Sequence, residues 1–271
     1  MSVLDGHEPV KIVVSGDSIS KGIVYDEQKK KYAVLEENYV ELLRDKLNGI
    51  IYNASRFGST LIKGLQKLKG SIFNDKPDII LIEYGGNDCD FNWDEIARNP
   101  ENTHLPKTDF HVFENVLRET IDFIRKNKSI PVLMNLPPLN ADRYFNWISK
   151  NNPVLKENIL KWLGSVTKIY WWQERYNSVI QKIADETKTI CIDIREAFLR
   201  FPDFTSLLCI DGIHPNRDGH IVIANKIFEF IKDRYDFLLK NQPSSGLMPI
   251  SSLSSSHPGL LQALQLGHTT Q

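Results

Sequence analysis

The sequence predicts an α/β fold, a parallel sheet covered on both faces by helices. Short apolar runs alternate along the chain with longer segments whose apolar residues recur at helical spacing. Each short run is nearly continuous in apolar residues rather than alternating apolar with polar, the pattern of strands buried on both faces. The runs also end on glycine, proline or small polar residues, which punctuate strands.

The elements follow in order. KIVVS (11–15) reads as the first strand. EENYVELLRDKLNG (36–49) reads as a helix with Tyr39, Leu42, Leu43 and Leu47 on one face and Gly49 as its stop. IIYNAS (50–55) is the second strand, and TLIKGLQKLKGSIF (60–73) has weaker helical spacing. PDIILIEYG (77–85) is a strongly apolar third strand. FHVFENVLRETIDFIRKN (110–127) is a helix with Phe113, Val116, Leu117, Ile121 and Ile124 on one stripe. IPVLMNLPP (130–138) is the fourth strand. The segment 159–187 is mostly helical, TICIDI (189–194) is the fifth strand, and 216–239 is a final helix.

The chain has 271 residues, and residues 1–240 are expected to form a single domain. Residues 241–271 are rich in Ser, Gly and Pro, and after Gln242 they hold no Asp, Glu, Lys or Arg. They are expected to be a mobile or non-native appendage outside the fold. Hydrophobic residues make up 41% and charged residues 25%, an ordinary balance for a soluble globular protein. The net charge of -1 offers no electrostatic case for binding nucleic acid or an anionic membrane. Cys89, Cys191 and Cys209 are far apart, with no metal-binding spacing, and read as free thiols of a reducing compartment. The N-terminus lacks a signal-peptide apolar run, and no segment reaches the ~20 apolar residues of a membrane span. A cytoplasmic location is expected.

Ligands of an open parallel sheet bind beyond the carboxyl ends of its strands. The residues there are Gly16-Asp17-Ser18 after the first strand, Asn53, Gly58 and Ser59 after the second, and Gly86-Asn87-Asp88 after the third. Asn135 follows the fourth, and Asp211 and His214 follow the fifth and a short helix. A serine hydroxyl becomes a nucleophile when an imidazole takes its proton, and a carboxylate on the other ring nitrogen fixes that imidazole. Asp211 and His214, three apart before Pro215, have the offset for such a pair, and Ser18 stands where a strand turns into a helix. A developing oxyanion needs donors: the Ser18 N–H, the Gly58 N–H and the Asn87 side-chain amide are candidates.

GDSIS near the N-terminus, the glycine of RFGST, GGND after the third strand and DGIHPNRDGH near the C-terminus together resemble the four sequence blocks of the SGNH, or GDSL-type, esterase and lipase superfamily. Order and spacing match over residues 11 to about 235; Ser20 replaces the threonine of many members. The resemblance implies a flavodoxin-like three-layer α/β/α sandwich with five parallel strands in the order 2-1-3-4-5. It implies Ser18 as nucleophile, His214 as base, Asp211 as the acid that orients it, and Ser18, Gly58 and Asn87 as oxyanion donors. The segments 24–36, 89–110 and 140–172 lie outside the blocks.

Other readings stand beside these. Ser18 or Asp17 as a helix cap, with no chemistry assigned to Asp17, is one; Gly58 as a turn glycine is another. Asp88 reads as part of an Asx-type turn, His220 as a capping or surface histidine, and His104 and His111 as solvated. YWWQERY (170–176), with Trp147 and Trp162, reads mainly as packing, with a ring or two left as pocket wall or sugar platform. QKKKY (28–32) reads as a solvated turn. The function expected is a serine esterase acting on small acyl or acetyl esters through an acyl-enzyme, with no cofactor and no metal. Its expected partner is a small-molecule ester such as an acetylated sugar, with the oligomeric state open. The alternatives are a metal-dependent phosphoester hydrolase using Asp17, Asp88, Asp211 and His214, and a non-catalytic glycan-binding module. The sequence lacks G-x-S-x-G, G-x-G-x-x-G and the P-loop pattern.

Overall fold

The computed structural model describes residues 9–70 and 72–240. The expectation for 241–271 lies outside the described residues. The strands are β1 (Val10–Gly16), β2 (Ile23–Asp26), β3 (Lys31–Val34), β4 (Gly49–Asn53), β5 (Ile79–Glu83), β6 (Ile130–Met134) and β7 (Ile190–Ile192). The helices are α1 (Ser18–Lys21), α2 (Tyr39–Arg44), α3 (Leu61–Gly70), α4 (Trp93–Arg98), α5 (Phe110–Lys126), α6 (Ala141–Ile148), α7 (Pro153–Leu163), α8 (Thr167–Thr187), α9 (Ile194–Leu199) and α10 (Arg217–Arg234).

The main sheet runs β4-β1-β5-β6-β7, all parallel. Numbered by its own strands in chain order, this is 2-1-3-4-5. Side chains alternate across a strand, so β1 feeds both layers. Ile12 and Val14 join Tyr39 and Val40 of α2 and Ile223 and Phe228 of α10 in one core. Val13 joins Phe113, Leu117 and Ile121 of α5 and Ile180 and Ile183 of α8 in the other. The stripe expected on α5 is the face it buries, and Asp109 caps the helix by accepting the His111 and Val112 N–H groups.

Three local expectations change. Gly49 opens β4 instead of stopping α2, which ends at Arg44; a Cβ at Gly49 would lie 2.7 Å from the Val10 carbonyl oxygen, so the pairing of β4 with β1 requires glycine there. The helical segment 159–187 is broken at Gly164, whose φ of 74° ends α7. QKKKY is a turn only as far as Lys30: Lys31 begins β3, which pairs antiparallel with β2 and places Tyr25 opposite Tyr32. A third apolar cluster joins α4, α6 and α7 through Phe91, Ile96, Phe145 and Ile159, standing apart from both faces of the sheet.

Candidate active site

β1 delivers its last residues to the carboxyl edge of the sheet. Gly16 lets it end there: a Cβ would meet the Ser20 hydroxyl at 2.5 Å and the Glu83 carbonyl oxygen at 2.9 Å. Asp17 then caps α1 by accepting the Ile19 N–H at 2.9 Å, as the capping alternative had it, and Ser18 starts the helix. Asn53, at the end of β4, donates to the Ser20 carbonyl at 2.7 Å and holds the turn from the other side.

His214 comes from the loop before α10. Its Nε2 stands 2.9 Å from Ser18 Oγ across 196 positions of chain. Its Nδ1 lies 2.6 Å from Asp211 Oδ2. Both side chains are buried, and Asp211 Oδ1 also accepts the Ile213 and His214 N–H groups at 3.1 Å each. With Nδ1–H donating to the carboxylate, Nε2 is left as the acceptor for the serine proton.

Ser18, Gly58, Asn87 and His214 line a single cavity of about 880 Å³. Gly58 sits in the loop before α3 with φ at 69°, a backbone state that suits glycine, and a Cβ there would meet nothing within 4 Å. Asn87 Nδ2 donates to Asp17 Oδ2 at 3.0 Å, which orients the amide toward the cavity. The rest of the wall is largely aromatic: Phe57, Phe91, Trp93, Trp147, Trp162, Trp171 and Trp172 contribute. Of the 170–176 cluster, Trp171, Trp172 and Gln173 reach the cavity. Tyr170 lies under Arg195 instead, and Tyr176 is buried beside Phe113.

The profile of the GDSL-like Lipase/Acylhydrolase family matches residues 14–222. The chain belongs to this family. An acylhydrolase cleaves acyl esters, so the protein is a carboxylic ester hydrolase. Thioesterase 1/protease 1/lysophospholipase L1 of Escherichia coli K12 is 24% identical over 217 residues, 79% of each chain. A lipase/acylhydrolase from Enterococcus faecalis superposes with a TM-score of 0.59 at 22% identity, covering 87% of this chain and all of its own. Axe2, an acetylxylan esterase from Geobacillus stearothermophilus, gives 0.56 at 20% identity, over 83% of this chain and 94% of its own. The fold of this GDSL-type hydrolase is therefore the one its four sequence blocks imply.

Burial works against Asp211 as a carboxylate, but the His214 hydrogen bond and charge and the two backbone donors outweigh it and hold its carboxyl below the usual range. Asp17 is pushed the other way by burial. Behind it lies Glu83, the last residue of β5 and wholly buried. Its Oε2 accepts from the Ser20 hydroxyl at 2.8 Å and from the Ser20 N–H at 3.3 Å. Burial first, and Asp17 second, push the Glu83 carboxyl well above the glutamate range.

Several residues differ from their sequence reading. Asp88 ties distant segments together: its carboxylate takes the Leu61 N–H that opens α3 and the Thr108 hydroxyl, and burial lifts it to about 6. His220 is fully buried, not at the surface, and its Nδ1 accepts the Tyr39 N–H at the start of α2. Asn135 bonds to Asp193, on the far side of β6 from the serine. Asp17, Asp88, Asp211 and His214 do not converge; among the described residues no group of three or more His, Cys, Asp or Glu is placed to hold a metal ion. Among those residues, too, no helix is long and apolar enough to cross a membrane.

Tyr32, Phe57 and Glu83 stand at this site without being among the residues that its sequence motifs assign to it. Two short runs of β-branched and aromatic residues around DEQKK are a hairpin signal for the first, and an acid at the end of an otherwise apolar strand is a signal for the last.

Proposed function

We propose that the protein hydrolyses carboxylic esters through an acyl-enzyme on Ser18. The observation that carries this reading is the line from Ser18 Oγ to His214 Nε2 at 2.9 Å and from His214 Nδ1 to Asp211 Oδ2 at 2.6 Å, opening on one cavity. Ser18 Oγ attacks the ester carbonyl carbon while His214 takes the serine proton. The carbonyl oxygen, now an oxyanion, accepts hydrogen bonds from the Ser18 N–H, the Gly58 N–H and the Asn87 amide. The intermediate collapses, and the C–O bond to the alcohol breaks as His214 gives that oxygen its proton. Water then attacks the acyl-enzyme, His214 takes the water proton, and the second collapse returns the proton to Ser18. Asp211 steadies the imidazolium in both halves without itself becoming protonated.

The substrate this reading favours is a small acyl ester of a bulky, ring-bearing alcohol, such as an acetylated sugar. An acetyl group occupies a minor part of about 880 Å³. The indoles of Trp147 and Trp171 and the polar groups of Asn92 and Asp94 on the same wall supply aromatic surface and hydroxyl partners for the alcohol half. Among proteins of similar fold, Axe2 is an acetylxylan esterase.

Ser18→Ala tests the reaction class. The variant is expected to remain folded by circular dichroism, to lose p-nitrophenyl acetate hydrolysis and to lose covalent labelling by a fluorophosphonate. Hydrolysis at the wild-type rate in that variant would overturn the mechanism.

A further inference from the structure

Tyr32 belongs to the β2–β3 hairpin, which lies in one of the segments outside the four sequence blocks, yet its phenol ends at the acid of the triad. The Tyr32 hydroxyl donates to Asp211 Oδ2 at 3.1 Å across 179 positions of chain. Asp211 takes its other hydrogen bonds from its own loop, at Ile213 N, His214 N and His214 Nδ1. Among the described residues, Tyr32 is therefore the donor that ties the carboxylate to a different part of the fold.

The ring is held as firmly as the hydroxyl. It packs edge-on against the His214 imidazole with centroids 5.2 Å apart, and against Tyr25, its partner across the hairpin, at 5.4 Å. Phe57 lies 5.4 Å away and itself stacks on His214 at 6.2 Å, while Trp147 of α6 contacts both hairpin tyrosines. The hairpin is short and half-exposed, and a two-stranded ribbon is marginal alone. Its aromatic contacts across to α6 and the His214 loop supply the packing it lacks.

We propose that Tyr32 is a positioning residue of the ester-hydrolase site: it fixes the Asp211 carboxylate, and through it the His214 ring, from the hairpin side. This rests on the Ser18–His214–Asp211 reading above. Burial, and then the neighbouring Asp211 charge, push the phenol far above its ordinary range, so Tyr32 remains a donor throughout the working pH range. The groups facing this pair are few. Asp17 approaches His214 from the β1–α1 turn. Cys209, in the loop of Asp211, is raised to about 11 by burial and stays a neutral thiol. His220, from α10, is lowered to about 3 by burial and stays neutral. None of these changes when Tyr32 loses its hydroxyl.

The test is Tyr32→Phe, which keeps the ring, removes the donor to Asp211 and also removes the oxygen to which the Trp147 indole N–H donates. kcat for p-nitrophenyl acetate is expected to fall about tenfold with KM within about twofold, as loss of one hydrogen bond to a charged group implies. A carboxylate that has lost a donor grips the imidazolium more tightly, so the acidic limb of kcat/KM moves to higher pH, by roughly 0.5 unit. In an Asp211→Ala background the same substitution changes the rate of fluorophosphonate labelling by less than about twofold, because the side chain that Tyr32 would hold is gone. A wild-type kcat and a superimposable pH profile would overturn the proposal and leave the triad standing. A rise in KM at unchanged kcat would also overturn it, making Tyr32 a cavity wall only. A Ser18→Ala variant that still hydrolyses ester in the same assay would overturn the triad and this proposal together.

Discussion

Glu83 is a buried acid under the nucleophile turn. Its Oε2 accepts from the Ser20 hydroxyl, while Asp17 Oδ2 accepts from Asn87, so two carboxyl groups brace the turn and one oxyanion candidate. Burial raises Glu83, so the folded protein holds its proton to higher pH than the unfolded chain does. Stability tied to this proton is complete below the ordinary glutamate range and is lost as pH rises. Glu83→Gln replaces the titratable acid with an amide that still accepts from Ser20 and cannot titrate. Its Tm is therefore expected to fall less than that of the wild type between pH 6 and 9, with the gap reaching about 3 °C or more, the shift that ~1 kcal/mol produces in a domain of this size. Parallel Tm curves would remove the buried proton. At this scale the chain was partly legible. Ser18, Asp211 and His214 stand in short motifs whose spacing suggests the chemistry proposed for them, and the fold brings the three side chains into one line. The Asn87–Asp17 and Tyr32–Asp211 bonds join residues 70 and 179 positions apart, and nothing local in either segment announces the other.

α3 carries the chain away from the loop that holds Gly58, and it does so by lying hard against Tyr84, the residue after β5. Gly64 on its inner face makes this approach possible, since a Cβ would come within 2.5 Å of the Tyr84 ring. Tyr84 itself is buried and bonded to the Ser15 hydroxyl at 3.0 Å, so it has little room to yield. Helix propensity favours alanine over glycine by about 1 kcal/mol, but overpacking of this kind costs about 1–3 kcal/mol. Gly64→Ala is therefore expected to lower the urea midpoint despite its better propensity; a higher midpoint would show that α3 can slide. The weak helical spacing of 60–73 has the same origin, because a glycine on the buried face interrupts the apolar stripe. The hairpin escaped notice for the opposite reason: its strands have four residues each, too few for an alternation to stand out.

For the molecule as a whole, the sheet edge contributes the proposed reacting groups and the α4–α6–α7 cluster, together with the start of α8, contributes much of the cavity wall. Chemistry and substrate choice are thereby separable. Trp171 is 55% exposed and lines the cavity, so its removal costs little packing. Trp171→Ala is expected to leave p-nitrophenyl acetate hydrolysis and fluorophosphonate labelling within about twofold. It should raise KM for an acetylated oligosaccharide about tenfold, as loss of one stacking face of roughly 50–100 Å² implies. Equal effects on both substrates would place Trp171 in the reaction rather than in recognition of the alcohol.

The sequence by itself determined the layered α/β architecture and the chemical identities at the sheet edge. Apolar periodicity and turn residues are properties of a few neighbouring positions, and they survive in any read of the chain. The tertiary structure decided which of those polar groups face one another, that a hairpin phenol reaches the triad acid, and that four separate helices wall one cavity. Those outcomes depend on how layers pack across nearly two hundred residues, where distance in space is no longer a function of distance along the chain.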